Sequence, residues 1–118
     1  MRYILNSAVI TGPGLFAYRL LTQQEARDWL EIGPATSCIG YEETCLAFER
    51  VFHQRLLLNR QTITLAAGDE ALVFRLTSRV ADPRQKGAVS IDTILAHLEV
   101  GLLSRVVPVR TPGLNDQG

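Results

Sequence analysis

Lysine is nearly missing from this chain: of its 12 basic residues only Lys86 is one, and the other eleven are arginines, balanced by 12 acids to a formal net charge of zero. A protein that coats polyanions needs an excess of cations, so a general nucleic-acid binder is excluded and duplex nucleic acid is not an expected partner. Cysteine is scarce too. Cys38 and Cys45, seven positions apart, have no partner pair and no histidine at ligand spacing, which excludes a zinc site and a disulfide framework; in a reducing compartment they read as small core residues. No metal and no cofactor is expected. No apolar run approaches the ~20 residues of a membrane span, and the start Met1-Arg2-Tyr3-Ile4-Leu5-Asn6 turns polar too soon for the apolar stretch of a signal peptide. No membrane is expected as partner, and the expected location is the cytoplasm. Phosphate-binding glycine loops, Gly-x-Ser-x-Gly elbows and His-Glu-x-x-His helices do not occur. The only histidines, His53 and His97, fall at the end of and within candidate helices and read as structural or solvated.

The 118 residues, 47% of them hydrophobic with 9 glycines and 5 prolines scattered, describe one globular domain over residues 1–110 and a polar tail, 111–118, expected to be disordered. Tyr3 to Ile10 reads as a first strand, closed by Gly12-Pro13-Gly14 and followed by Phe16–Leu20, which alternates as a second strand returning on the first as a hairpin. Thr22 and Glu25 form a capping box before a helix whose buried side is Ala26, Trp29 and Leu30 and whose stop is Gly33-Pro34. Ala35 to Ile39 is a short strand, and Gly40 separates it from a helix over about Tyr41–His53. Leu56 to Leu65 ends in an alternating stretch, and Gly68-Asp69 turns the chain into the strongest strand, Ala71–Val80. There Leu72, Phe74 and Leu76 share one face, and Val73, Arg75, Thr77 and Arg79 the other. Ser90 caps a last helix expected to run to Val100 and stop at Gly101, and Leu102–Val109 is a final strand. The fold expected is α/β: a single-domain mixed sheet of about five or six strands with flanking helices.

A helix N-terminus presents backbone N–H groups and the positive end of its dipole, so the strand–Gly40–helix junction suits a phosphate; it equally suits a plain turn. The polar groups on this apolar sheet are Asn6, Ser7, that junction, Arg60, Arg75, Arg79 and Asp82.

The segments Tyr3-Ile4-Leu5-Asn6-Ser7-Ala8, Ser37-Cys38-Ile39-Gly40-Tyr41-Glu42-Glu43-Thr44, Asn59-Arg60, and Asp69 to Leu76 running on to Arg79 resemble, in order and spacing over about residues 3–107, the small viral and bacterial family of type III anti-CRISPR ring nucleases. That resemblance implies a symmetric homodimer of α/β fold. It would bind cyclic tetra-adenylate, the second messenger of type III CRISPR immunity, and cut it without a metal. It also implies that Asn6 and Ser7 contact the ligand, that Arg60 and Arg75 hold its backbone, and that Arg79 sits at the scissile phosphate. Asp82 falls where the family often has an acidic residue, although the loop after it, Pro83 to Gly87, is longer here. One departure stands out. Where the family has its catalytic histidine, after the junction glycine, this chain has Tyr41.

Metal-free RNA cleavage needs a ribose 2′-OH in line with its phosphate, a cation on the phosphoryl oxygens and an acid for the leaving 5′ oxygen. Arg79 fits the cation. Tyr41 carries a proton, but a phenol of pKa about 10 is a weaker acid near neutrality than imidazolium, and general acid–base catalysis is worth roughly 10²–10⁴-fold. Tyr41 also suits stacking on a base, or simple packing at the helix start. The chain therefore reads as a ring nuclease leaving linear di-adenylate with a 2′,3′-cyclic phosphate, or as a binding protein that sequesters a cyclic oligonucleotide. A third reading is a small mobile-element protein that uses the same fold to contact another protein.

Overall fold

The structure, a computed structural model, describes residues 1–10, 12–77 and 90–107. Among these residues eight elements follow one another: β1 (Arg2–Leu5), β2 (Phe16–Leu20), α1 (Gln23–Ile32), β3 (Thr36–Ser37), α2 (Glu42–Phe52), β4 (Glu70–Leu76), α3 (Ile91–Ala96) and β5 (Leu98–Arg105). The strands form one five-stranded mixed sheet in the order β2-β5-β4-β1-β3. β1 lies parallel to both β3 and β4, whereas β5 is antiparallel to β4 and β2.

Local side-chain caps account for the starts of α1 and α3. Thr22 accepts from the Glu25 N–H at 3.1 Å and Glu25 Oε1 accepts from the Thr22 N–H at 2.9 Å, so the capping box forms. Ser90 caps α3 through the Thr93 N–H. The end of α1 has no basic residue of its own in the last turn. Arg2 of β1 serves instead, stacked 3.7 Å above the Trp29 ring while its guanidinium donates to the Trp29 and Gly33 carbonyls. One arginine thus ties strand to helix through both charge and ring contact.

The alternation read in β4 divides the core into two. Leu72 and Phe74 pack under the helices with Ile4, Trp29, Val51 and Ile94, and the rings of Phe48, Phe52 and Phe74 meet at centroid distances of 4.9 to 5.9 Å in tilted and edge geometry. Ala71 and Val73 face the other way, toward Leu5, Cys38, Leu65 and Leu103. Cys45 is buried at the helix layer, where burial first, then Glu49 and Glu42, push its thiol up; it fills core.

Four expectations are corrected. β1 stops at Leu5, because Asn6 and Ser7 bend the chain away, and β2 does not return on it as a hairpin: it crosses to the far edge and pairs with β5. The last helix ends at Ala96 rather than Val100. Residues 98–100 join β5 because pairing opposite Leu76, Arg75 and Phe74 satisfies their backbone and buries Val100, gains that a solvent-side helical turn lacks. Gly101 is therefore no helix stop but a mid-strand residue over which the Tyr18 ring lies, and a Cβ there would run into that ring. The stretch 56–65 forms no ladder; it is an irregular strap anchored at both ends by buried Leu56 and Leu65.

Candidate functional site

In open sheets with parallel strands, ligands bind beyond the strands' carboxyl ends, where the connecting loops diverge. Here β1, β3 and β4 point the same way, and the chain leaving β1 and β3 opens a cleft of ≈ 600 Å³. Asn6, Ser7, Gly40, Tyr41 and Arg60 all line it. Five of the eight residues singled out from the sequence are thus brought together. A smaller recess of ≈ 130 Å³ adjoins it, sharing Asn6, Ser7 and Cys38 and reaching inward to Leu5 and Ile63.

Each side chain is placed by its element. Asn6 and Ser7 follow the last β1 pair, Leu5 with Val73, and the Val9 N–H donates to the Ser7 carbonyl at 3.1 Å, closing the bend. Cys38 continues the ladder beyond β3 through its N–H to the Ile4 carbonyl at 2.9 Å, which leaves Gly40 and Tyr41 at the entrance to α2. Tyr41 is the N-cap but makes no side-chain capping bond; its ring is 51% exposed and turned to the cleft. Glu42 and Glu43 occupy the first turn, complementing the dipole. They also make that helix end less attractive to an anion, so positive charge must come from elsewhere.

Arg60 provides it. Its side chain lies directly on Gly40: an added Cβ would stand 2.6 Å from Arg60 Cγ and 2.9 Å from its Cβ and Cδ. The guanidinium carbon then reaches within 5.9 Å of the Tyr41 ring centroid. Gly40 is needed for this close approach, which gives the junction glycine a role beyond the turn.

Arg75 is not in the cleft. It occupies the Val73 face of β4 and pairs with Glu99 at 3.3 Å, and the Tyr18 hydroxyl donates to that carboxylate at 3.3 Å; burial and Glu99 together push the Tyr18 phenol up. Arg79 and Asp82 lie outside the described residues. Sequence reading missed Gln61 and Thr62, which line the cleft directly after Arg60, and it took Cys38 only as core. Cys38 is both: it is 5% exposed, and Gln61 Nε2 donates to its Sγ at 3.4 Å. Adjacency to the Asn59-Arg60 pair was the one signal that pointed to Gln61. Among the described residues no three of His, Cys, Asp and Glu gather as metal ligands, and no helix is long and apolar enough to cross a membrane.

The sequence model of the STIV B116-like family matches residues 2–99, a span that contains every element down to the start of β5. The chain belongs to the STIV B116-like family. Uncharacterized protein 26 of a Sulfolobus islandicus filamentous virus is 34% identical over 86 residues, 70% of this chain and 73% of that protein. The uncharacterized protein YddF of Bacillus subtilis (strain 168) is 31% identical over 77 residues, 64% of this chain and 71% of that one. Among solved structures, B116 of Sulfolobus turreted icosahedral virus superposes with a TM-score of 0.74 over 88% of this chain and 98% of its own, at 18% identity, so the likeness is one of fold. The B116-like fold thus occurs in viral proteins, with sequence relatives in both a virus and a bacterium.

Proposed function

We propose that this B116-like protein binds cyclic tetra-adenylate in the cleft and cleaves it without a metal to linear di-adenylate carrying a 2′,3′-cyclic phosphate, switching off type III CRISPR signalling. The observation that carries this reading is the convergence of Asn6, Ser7, Gly40, Tyr41 and Arg60 on one cleft of ≈ 600 Å³, within the ~300–1,000 Å³ typical of small-ligand sites. Amide, hydroxyl, aromatic face and guanidinium are the groups that hold a splayed ribonucleotide: the amide and hydroxyl bond sugar and base edges, the ring stacks, and the cation holds phosphate.

A four-nucleotide ring can have two-fold symmetry, and a symmetric homodimer offers the same patch twice, so two clefts facing one axis would each hold half the ring. Exposed apolar side chains support that arrangement: Val9, which lines the cleft, its neighbour Ile10, and Leu57 and Leu58 just before Arg60 are all more than half exposed, the kind of surface that association buries. In the proposed reaction one ribose 2′-OH in each half of the ring gives up its proton to water and attacks the adjacent 3′-phosphate in line, Arg79 stabilises the phosphoryl oxygens, Tyr41 donates a proton to the leaving 5′ oxygen as the P–O5′ bond breaks, and Asp82 is the acidic residue that the family resemblance implies.

Tyr41 also favours a second reading. An exposed phenol beside a guanidinium is a good stacking platform and a weak acid, which suits a protein that sequesters the ring without cutting it. Thin-layer analysis of labelled cyclic tetra-adenylate after incubation with excess protein and EDTA separates the two: cyclic-phosphate di-adenylate means cleavage, and intact ligand that co-elutes with protein means sequestration. Intact ligand that does not co-elute ends both.

A further inference from the structure

Resting on the cleft as the ring-binding site, we propose that Asn59 is a positioning residue that holds Arg60 over Gly40, using the end of β3 as its anchor. An arginine in an exposed loop carries rotamer entropy that a ligand would have to freeze. Residues 57–62 are all exposed, so no buried apolar side chain within that stretch fixes where Arg60 stands. Three hydrogen bonds ahead of Arg60 do so instead, with the Gln61 Nε2 contact to Cys38 Sγ just beyond it. Ser37 Oγ donates to the Leu57 carbonyl at 2.7 Å, Asn59 Nδ2 donates to the Ser37 carbonyl at 2.7 Å, and the Asn59 N–H donates to the Ile39 carbonyl at 2.9 Å.

The arrangement follows from the sheet. β3 is an edge strand of two residues, so among the described residues its outer side, and that of Cys38 and Ile39 just beyond it, has no strand to pair with. Asn59 takes two of those carbonyls, one on each side of Cys38, through its side chain and its own backbone. Residue 59 is thereby fixed at two points, and the next residue is delivered beside Gly40, where the missing Cβ admits the Arg60 methylenes. The guanidinium is set at the cleft before any ligand arrives, and the ordering cost falls on folding instead of binding.

The test uses the full chain, with Asn59→Ala, Arg60→Ala and the double variant read by calorimetry against cyclic tetra-adenylate and by NMR. Asn59→Ala is expected to weaken ring binding ~5- to 10-fold, as for loss of one net hydrogen bond, and to have no further effect once Arg60 is alanine. The nuclear Overhauser contact between the Arg60 side-chain methylenes and the Gly40 α protons should be present in the parent and lost in Asn59→Ala, while contacts among Phe48, Phe52 and Phe74 persist. Asn59→Asp, which keeps the shape and removes the donor, gives the same NMR readout if truncation unsettles the loop. An equal loss of affinity in the parent and in the Arg60→Ala background overturns the assignment, as does an Arg60–Gly40 contact that survives either substitution. If the parent binds no ring, the proposed function falls, and the NMR contact alone decides the role of Asn59.

Discussion

Substituting Gly40 by alanine isolates the one steric demand that the candidate site places on the sequence. The backbone at Gly40 is not in the left-handed region, so alanine fits there without torsional strain, and the cost arises wholly from the Arg60 side chain. Carbon atoms in good contact stand ~3.5–4.0 Å apart, whereas the new methyl would lie 2.6 Å from Arg60 Cγ and 2.9 Å from its Cβ, so Arg60 must retreat by about 1 Å at its root. At the root a rotamer change is not enough; the strap itself must give. Because 57–62 is exposed, the relaxation should cost the low end of the ~1–3 kcal/mol of overpacking, visible as a small shift of the urea midpoint with an unchanged slope. Binding should suffer more. Losing a charge-assisted contact worth ~1.5–3 kcal/mol raises the dissociation constant for cyclic tetra-adenylate by about 10- to 150-fold, as Arg60→Ala would. Calorimetry on both variants and on the pair combined tests this, and the combined variant should bind no worse than Arg60→Ala alone. A Gly40→Ala protein that binds as tightly as the parent would refute the idea that Arg60 works from its seat on Gly40.

If the phenol is the acid, Tyr41→Phe should slow single-turnover cleavage in EDTA while leaving affinity within a few-fold, and Tyr41→His should speed it, most strongly below about pH 7; equal rates for parent and Tyr41→Phe would assign the proton to another group. Gly101→Ala should destabilise the fold by ~1–3 kcal/mol in urea, because its methyl would meet the Tyr18 ring across the β2–β5 pair, and Gly101→Ala combined with Tyr18→Ala should recover part of that loss. Burial opposes the charge of Asp69, but the Ala66 N–H, the Met1 ammonium at 2.9 Å and Arg105 outweigh it and hold the carboxyl below its ordinary value. A depressed folded-state value stabilises above the unfolded carboxyl's pKa of about 3.9 and loses that contribution as pH falls through the folded value. The parent should therefore lose more stability than Asp69→Asn between pH 5 and pH 3, and parallel profiles would contradict the pairing. His53 ends α2 in the left-handed region at φ 56°, so His53→Gly should leave stability equal or raise it by up to ~1 kcal/mol, as thermal melting would show.

What the sequence determined by itself were the features governed by neighbours along the chain. The Thr22–Glu25 box, the Ser90 cap, the strand–Gly40–helix junction and the two-residue alternation of β4 depend on contacts within a few residues, and they stand as read. The class of fold followed from them, and so did most of the polar residues that meet in the cleft. Tertiary structure decided everything that depends on which segment lies beside which. β2 looked like the partner of β1 because a turn joins them, yet β5 offers it a full antiparallel ladder from Phe16 opposite Arg105 to Leu20 opposite Gly101. Residues 98–100 carried a helical pattern, and pairing with β4 overrode it, since a ladder gained at the centre of a sheet outweighs a few tenths of propensity per residue. The same logic separated the arginines. Arg60 and Arg75 look alike in sequence, but an irregular strap bound to a two-residue edge strand carries one into the cleft, and the strand opposite the other supplies Glu99 to hold it on the Val73 face of the sheet. Spacing along a chain reports period and caps; it does not report which neighbour a charge will find once the sheet has closed.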